Sequence, residues 1–567
     1  MLSLGLLGRG SRRSEVAIQI GCALLGVLFV FHRELASGFR TLQVYALDPL
    51  FQNLILEHEW LWLSGRGAWP SLASPGFFHP QGGALFFADP TIGALPLYGV
   101  WRLFGVDPHV AYALCAILAL LLTYAAFLAL FRRGFGLSPV DSALAAFLVA
   151  FGAPRAAMIN HPHQFLHYPT ALALLALFRL ADESAARSTR LRWAASFPLF
   201  VLLQAWSNIY LFAILLLWLT AAALFLLLDR GGRRQLARLP HALWIAGGVS
   251  GLAALAAFLP YASGFVHARS AIGGPGLDEI RMYLPRLASW VNPGGDHLLE
   301  PWLAAAIEPA IRSPVPWAQR LGIGLLATLV ALVGIAPAAR SAPFRWLGGG
   351  FVVLVLLTMS WPGGHSAWPW IVGWLTPFAS LRMVSRIVLV GLVPLAYAFV
   401  LGLRRMARPP VRESLAIGLL LVVFAEQIQH QPEFKVAPRR TRAAAIAANV
   451  PADCDSFLYT RYHPNLARRH PRIHDRDHQT QQVDAMWAAI AAEKPTFNGY
   501  SGYAPTDWPL WPVILVSEQE LGYQRRGLEE WIDRHDLGDE TVCWVVLRFR
   551  LEQVVSARVE RIRSSRP

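Results

Sequence analysis

The chain is 567 residues long, 55% hydrophobic and only 15% charged, with a mean hydropathy of +0.41 and a formal net charge of +14. Soluble chains carry about 25% charged residues, so an ordinary soluble enzyme is excluded. The basic excess is arginine, with lysine at Lys435 and Lys494 alone. It gathers in short loops between apolar blocks, which points to a membrane protein and not to a nucleic-acid partner.

Arg9, Arg12 and Arg13 precede an apolar run over 16–31 with no small-residue cleavage site behind it. That reads as an uncleaved first span. A block of roughly 20 apolar residues crosses the hydrocarbon core as a helix. On that measure about eleven spans are expected, near 14–34, 107–131, 139–157, 163–180, 194–206, 208–228, 241–262, 319–338, 346–361, 384–403 and 413–430. With the N-terminus inside, Arg132 and Arg133, Arg187 to Arg192, Arg230 to Arg238, Arg340 and Arg345, and Arg404 to Arg412 all fall on the cytoplasmic side. A first outer loop over 36–106, a second over 263–318 and a tail over 437–567 follow from this count.

Within the first outer loop, DPLFQNLILEHEWLWL (48–63) repeats with helical period and predicts an amphipathic helix on the membrane surface. Pro90 and Pro96 make 89–105 a short, broken interfacial element. Trp60, Trp62, Trp69, Trp361, Trp368, Trp370 and Trp374 suit an aromatic belt at the outer interface.

The tail alternates strand-like runs (457–460, 513–516, 542–549) with helix-like runs (483–493, 518–535). The fold class is therefore mainly α: a polytopic transmembrane helical domain over 1–436, then a small soluble α/β domain over 437–567. Cys22 and Cys115 sit in spans and read as inert buried thiols. Cys454 and Cys543 share a tail expected in an oxidising compartment, where a disulfide is open to them.

A long first outer loop, many spans and an outer tail resemble the GT-C fold of membrane glycosyltransferases, most closely a bacterial GT-C-like branch. The stretches that carry the likeness are Leu47-Asp48, Asn53 to His58, FFHPQGGALFFADPTIGALPLYGVWRLFG, FGAPRAAMINHPHQ, SLRMVSRIVLV and KPTFNGYSGYAP. The resemblance implies transfer of a sugar from a polyprenyl-phosphate donor to a glycan, lipid or protein acceptor, on the outer face of a bacterial inner membrane. It also implies a functional acid at the start of the first outer loop, where Asp48 stands. One departure is plain: Asn160-His161-Pro162-His163-Gln164, after the third span, carries no acid.

A phosphate leaves without protonation, so inverting transfer needs one carboxylate for the acceptor proton and positive charge near the phosphate. Asp48 suits the base, and Asp-Pro at a helix start also suits a cap. Arg382 and Arg386, four apart and thus on one helix face, suit the donor phosphate; snorkelling to headgroups is the alternative. Asp89, Glu57, His58, His161, His163, Gln164 and His167 complete the expected donor or acceptor set. The residues point to no definite cofactor, and a divalent metal is open to Asp48, Asp89, His161 and His163. Two rivals to a glycosyltransferase stand: a lipid or glycan transporter or flippase, and a non-catalytic envelope assembly protein. Nearly charge-free spans and the lack of repeated halves speak against the transporter.

The arginine pattern sets an expected outcome. A reporter active only outside the cytoplasm, fused after Pro567, is active, and a cytoplasmic reporter at the same point is silent. The reverse result would sink the count of eleven spans.

Overall fold

A computed structural model describes residues 12–43, 47–69, 71–374, 381–406, 410–430, 432–464, 475–550 and 553–562. The expected spans fall on helices Arg12–Ser37, Pro108–Arg133, Pro139–Phe151, Tyr168–Ala181, Arg187–Ser207, Ile209–Leu228, His241–Ile272, Leu325–Ala338, Ala342–Thr358, Val388–Met406 and Pro410–Ala425. Arg12–Ser37, Pro108–Arg133, Ile209–Leu228, His241–Ile272 and Val384–Met406 are long and apolar enough to cross a membrane, and Leu325–Ala338 and Ala342–Thr358 are shorter apolar helices. The chain is a multi-pass membrane protein.

The boundaries move where proline and glycine dictate. The third expected span stops at Phe151, before Gly152 and Pro154, and the fourth starts at Tyr168, after Pro162. Residues 157–167 are thereby released into a loop and a 3-10 turn. The seventh helix runs to Ile272, ten residues beyond its expected end at 262.

The chain divides into two compact units. The first holds Met1–Leu35, Leu114–Phe258 and Gly274–Gln431. Its tightest pairing is between Leu325–Ala338 and Val388–Met406. A Cβ on Gly334 would lie 1.7 Å from the Ala398 carbonyl oxygen, and one on Gly402 1.9 Å from that of Val330. Small residues allow this approach where no hydrophobic force drives helices together. Asp141, at the head of Pro139–Phe151, pairs with Arg404.

The second unit joins Ala36–Ala113 and Leu259–Gly273 to the C-terminal segment Pro432–Pro567. Strand Thr41–Gln43 runs antiparallel to Glu433–Lys435. Ser456–Tyr462 lies parallel to both Ile514–Leu515 and Val542–Arg550, and Gln553–Ile562 returns antiparallel as an edge. Helices Val436–Ala448, Asp475–Ala492 and Glu518–Arg534 complete the α/β unit. The edge strand escapes a sequence reading because its residues are mostly exposed and lack apolar alternation.

Helix Asp48–Leu63 differs from the expected surface helix. Every residue from Pro49 to Trp60 is buried, the polar ones included. Leu50, Phe51, Leu54 and Ile55 share one core with Phe77, Phe497, Trp531 and Trp544. Two tryptophans of the expected aromatic belt are likewise interior: Trp60, whose ring meets Gly99, and Trp368. Trp370 and Trp374 are exposed.

Pairing of Phe457 with Cys543 across the sheet brings Cys454 close to the same strand. The sulfurs of Cys454 and Cys543 are bonded, with Cα atoms 5.8 Å apart, closing a separation of 89 residues. A Cys454→Ala/Cys543→Ala chain should lose about 2–4 kcal/mol of stability in this unit. The readout is the thermal unfolding midpoint in detergent, with and without reductant. A midpoint equal to wild type under oxidising conditions would contradict this.

Candidate functional site

The candidate residues divide between the two units. In the second, Asp48 is the first residue of the helix Asp48–Leu63 and Pro49 the second, and the capping position belongs to Leu47, with no side-chain cap. Asp48 instead accepts a 2.5 Å hydrogen bond from the Tyr500 hydroxyl. Phe51, one turn on, meets the Tyr500 ring edge-on at 5.4 Å. Tyr500 arrives on a rigid segment. The Asn498 side-chain oxygen accepts from Tyr459 N, and its amide donates to Tyr459 O and to Gln482. Gly499 N donates to the same Gln482 oxygen. A Cβ on Gly499 would lie 2.2 Å from the Phe78 ring, so only glycine allows this segment so near the 76–79 stretch it bonds to.

The other acids of that helix are placed differently. Glu57 is gripped by Arg102 through two bonds of 2.8 and 2.9 Å and accepts from Tyr98 at 2.5 Å. His58 bonds the Leu72 carbonyl at 2.9 Å, and burial holds its imidazole below the usual range. Glu59 is 1% exposed. One of its oxygens accepts from Thr91 N at 3.3 Å; the other has no partner, nor has the Thr91 hydroxyl. Asp89 is half-buried between two 3-10 turns, Ala84–Phe87 and Ile92–Ala94, and like Glu59 lies within electrostatic reach of Tyr261.

In the first unit, the loop over 157–167 is anchored by a buried arginine that sequence reasoning left out. Arg155 donates to Val149 O, Gln164 O and His167 Nδ1 at 2.7–2.8 Å. His161 and His163 stand with ring centres 5.7 Å apart. Burial, then Arg386, His163 and Arg382, hold His161 well below the usual imidazole range. The Gln164 side chain is fully buried, and neither its oxygen nor its nitrogen has a partner.

Arg382 and Arg386 are not on one α-helical face. Arg382 precedes the 3-10 turn Val384–Ile387 that carries Arg386, and the α-helix starts only at Val388. Both nevertheless reach His161. Arg382 pairs with Glu279 at 2.8 Å and faces the Tyr283 ring at 5.8 Å. Arg386 is 4% exposed and lies over the Tyr210 ring at 4.3 Å. Tyr210 also lines an apolar groove with Ile214, Leu217, Trp368, Leu381 and Val384.

Among the described residues no three His, Cys, Asp or Glu side chains are grouped so as to hold a metal ion. Of the four residues expected to draw a metal, His161 and His163 stand together in the first unit, and Asp48 and Asp89 belong to the second. Tyr500 and Arg155 lay in stretches already singled out, FNGYSGYAP and FGAPRAAMINHPHQ. Tyr210, Glu279 and Glu59 carried no sequence signal.

No family model matches the sequence, and no curated protein matches it. Among solved structures the chain is similar to the oligosaccharyltransferase of Archaeoglobus fulgidus in its apo form. The TM-score is 0.50 and the identity 11%, over 95% of this chain and 70% of that one. It is also similar to the arabinofuranosyltransferase AftD from Mycobacteria (TM-score 0.48, 15% identity, 95% of this chain and 35% of that one). A third is ArnT from Cupriavidus metallidurans in the apo state (TM-score 0.38, 12% identity, 95% and 94%). At such identities the likeness is one of fold, and it rests on the first of the three. The chain has the GT-C fold of polytopic membrane glycosyltransferases.

Burial pushes the Glu59 carboxyl up from 4.5 to about 8. The folded chain then keeps a proton that the unfolded chain releases above its ordinary value, so stability falls as pH rises from about 4.5 to 8. Glu59→Gln removes that slope. Its unfolding free energy should lie near wild type at pH 4 and exceed it increasingly toward pH 8, by roughly 5 kcal/mol at most, and the unfolding midpoint should follow. Parallel midpoints for the two proteins across this range would refute a protonated, buried Glu59.

Proposed function

We propose that this protein transfers a sugar from a polyprenyl-phosphate donor to an acceptor at the outer face of a bacterial inner membrane, with inversion at the anomeric carbon. The observation that carries the reading lies in the first unit. Arg386 stacks on Tyr210, and the same ring walls an apolar groove. A cation at the end of an apolar groove suits an amphiphile whose head is a phosphate and whose tail is hydrocarbon. The name of the structurally similar oligosaccharyltransferase is consistent with glycosyl transfer on this fold.

In the second unit Asp48 is assigned the acceptor proton. The acceptor hydroxyl gives its proton to the Asp48 carboxylate as its oxygen bonds to the anomeric carbon. The bond from that carbon to the phosphate oxygen breaks, and the lipid phosphate leaves with the electron pair. In the first unit, Arg386 and Arg382 are assigned the charge of a lipid phosphate. Gln164, with an unpartnered buried amide, would add a neutral donor to the phosphate or the sugar. Glu57 is assigned a structural role, because Arg102 and Tyr98 already engage both its oxygens.

Two measurements test the reading. Full-length protein in nanodiscs, titrated with undecaprenyl phosphate, should bind about tenfold more weakly as Arg386→Ala, with partial recovery in Arg386→Lys because lysine lacks the planar fork. Cells carrying Asp48→Asn should accumulate the same lipid-linked glycans as a deletion strain while the protein inserts normally. Unchanged lipid binding in Arg382→Ala/Arg386→Ala would remove the donor site. Normal glycan transfer by Asp48→Asn would remove the base.

A further inference from the structure

We infer that residues 287–317 of the second outer loop are seated in lipid and not in water, with helix Pro301–Ile311 lying at the headgroup–acyl boundary. The ground is an inverted packing pattern. Ser289, Asn292, His297, Glu300 and Gln319 are polar, and all five are interior. Their partners lie in the same compact unit. Ser289 donates to the Gln319 side-chain oxygen at 2.7 Å, and Asn292 to the Gln319 carbonyl at 3.1 Å. Glu300 accepts from Leu325 N at 3.0 Å, and His297 bonds the Glu426 carbonyl. The apolar side chains are the exposed ones. Leu287 is 69% exposed, Trp302 58% and Trp317 49%, and Leu298 and Leu299 are exposed as well. Water favours the opposite arrangement, because removing apolar surface from water drives folding. Hydrocarbon favours this one: polar groups must be satisfied internally, and apolar groups lose nothing by facing out.

Helix Pro301–Ile311 shows the same choice. Apart from Glu308 its residues are apolar, yet Ile311 alone is buried. Leu303, Ala304 and Ile307 turn inward with it, half-buried, and Trp302, Ala306 and Pro309 are exposed on the other side. Eleven residues are too few to cross the hydrocarbon core but suffice for a helix lying in the interface. Glu308 lies about 120° around the helix from Trp302, at the edge of the outward arc. Arg312, exposed, follows at the C-terminus, where its long stem lets the guanidinium reach headgroup phosphates. The apolar surface is also continuous. Glu300, just before this helix, holds the first residue of the apolar helix Leu325–Ala338, whose Leu329 and Leu332 are exposed. At the other end Trp317 meets the Tyr283 ring edge-on at 5.8 Å, and Arg382 faces that ring. The seated face therefore borders an arginine assigned above to the lipid phosphate.

Spin labelling tests the seat. A nitroxide is attached at Ala306→Cys in full-length protein that lacks the two buried thiols (Cys22→Ala/Cys115→Ala) and keeps the Cys454–Cys543 bond. The labelled protein is placed in nanodiscs. Dissolved oxygen concentrates in hydrocarbon, whereas a charged nickel chelate stays in water. The ratio of oxygen to nickel relaxation at Ala306→Cys should exceed severalfold that at Asp539→Cys, an exposed site of the α/β unit. Ala310→Cys, exposed on the same helix, should repeat the result and covers the case in which the first variant fails to insert. Equal ratios at the helix and at Asp539→Cys would put the helix in water and overturn the inference. Weak relaxation of the helix labels by both reagents would mean that protein covers it, a second copy or another chain, and would overturn it as well.

Discussion

The burial of one polar helix from Pro49 to Trp60 governs the second unit. Asp48–Leu63 carries Gln52, Asn53, Glu57, His58 and Glu59, and all five are interior. A buried polar group without a partner costs about 1–3 kcal/mol, and a charged one more. The helix can therefore exist only where the surrounding chain supplies partners. Asn53 finds His109, Glu57 finds Arg102 and Tyr98, and His58 finds the Leu72 carbonyl. Trp487, from the C-terminal segment, caps the Leu50 carbonyl. The loop and the tail fold as one unit because neither satisfies this helix alone.

Seen against that demand, the exceptions carry meaning. Gln52 Oε1, Asn53 Oδ1, His58 Nδ1, Glu59 Oε2 and the Thr91 hydroxyl keep no partner in the interior, which costs stability, and burial makes the Glu59 carboxyl hold its proton. Asp48 is neither sealed nor capping; it faces a hydroxyl delivered from far along the chain.

The first unit follows a different constraint. Arg386 and Arg382 bring positive charge to His161, and Arg386 lies on the Tyr210 ring that walls an apolar groove. Arg155 is saturated by carbonyls and an imidazole and acts by holding the loop. Arg382 is shared with Glu279, whereas Arg386 is buried against a ring. Desolvation strengthens every such charge, and it keeps His161 neutral among the arginines.

Some of this was legible in the sequence alone. Runs of apolar residues marked the five helices that are, among the described residues, long and apolar enough to cross a membrane, because the hydrocarbon core demands length and hydropathy and little else. Strand-like and helix-like runs marked three strands and two helices of the tail, whereas the expected span over 139–157 ran through Gly152 and Pro154, where the helix ends. Resemblance in short motifs singled out the stretches around Asp48, His161, Arg386 and Tyr500. What only the tertiary structure decided was the use of each polar residue. The helical period over 48–63 reads the same whether the helix lies on a membrane or inside a core. An aspartate and a glutamate nine residues apart look equivalent in sequence; Arg102 neutralises one and Tyr500 addresses the other. Partners that arrive from 45 or 452 residues away leave no local trace, because a hydrogen bond depends on position in space, and that is settled only when the core closes.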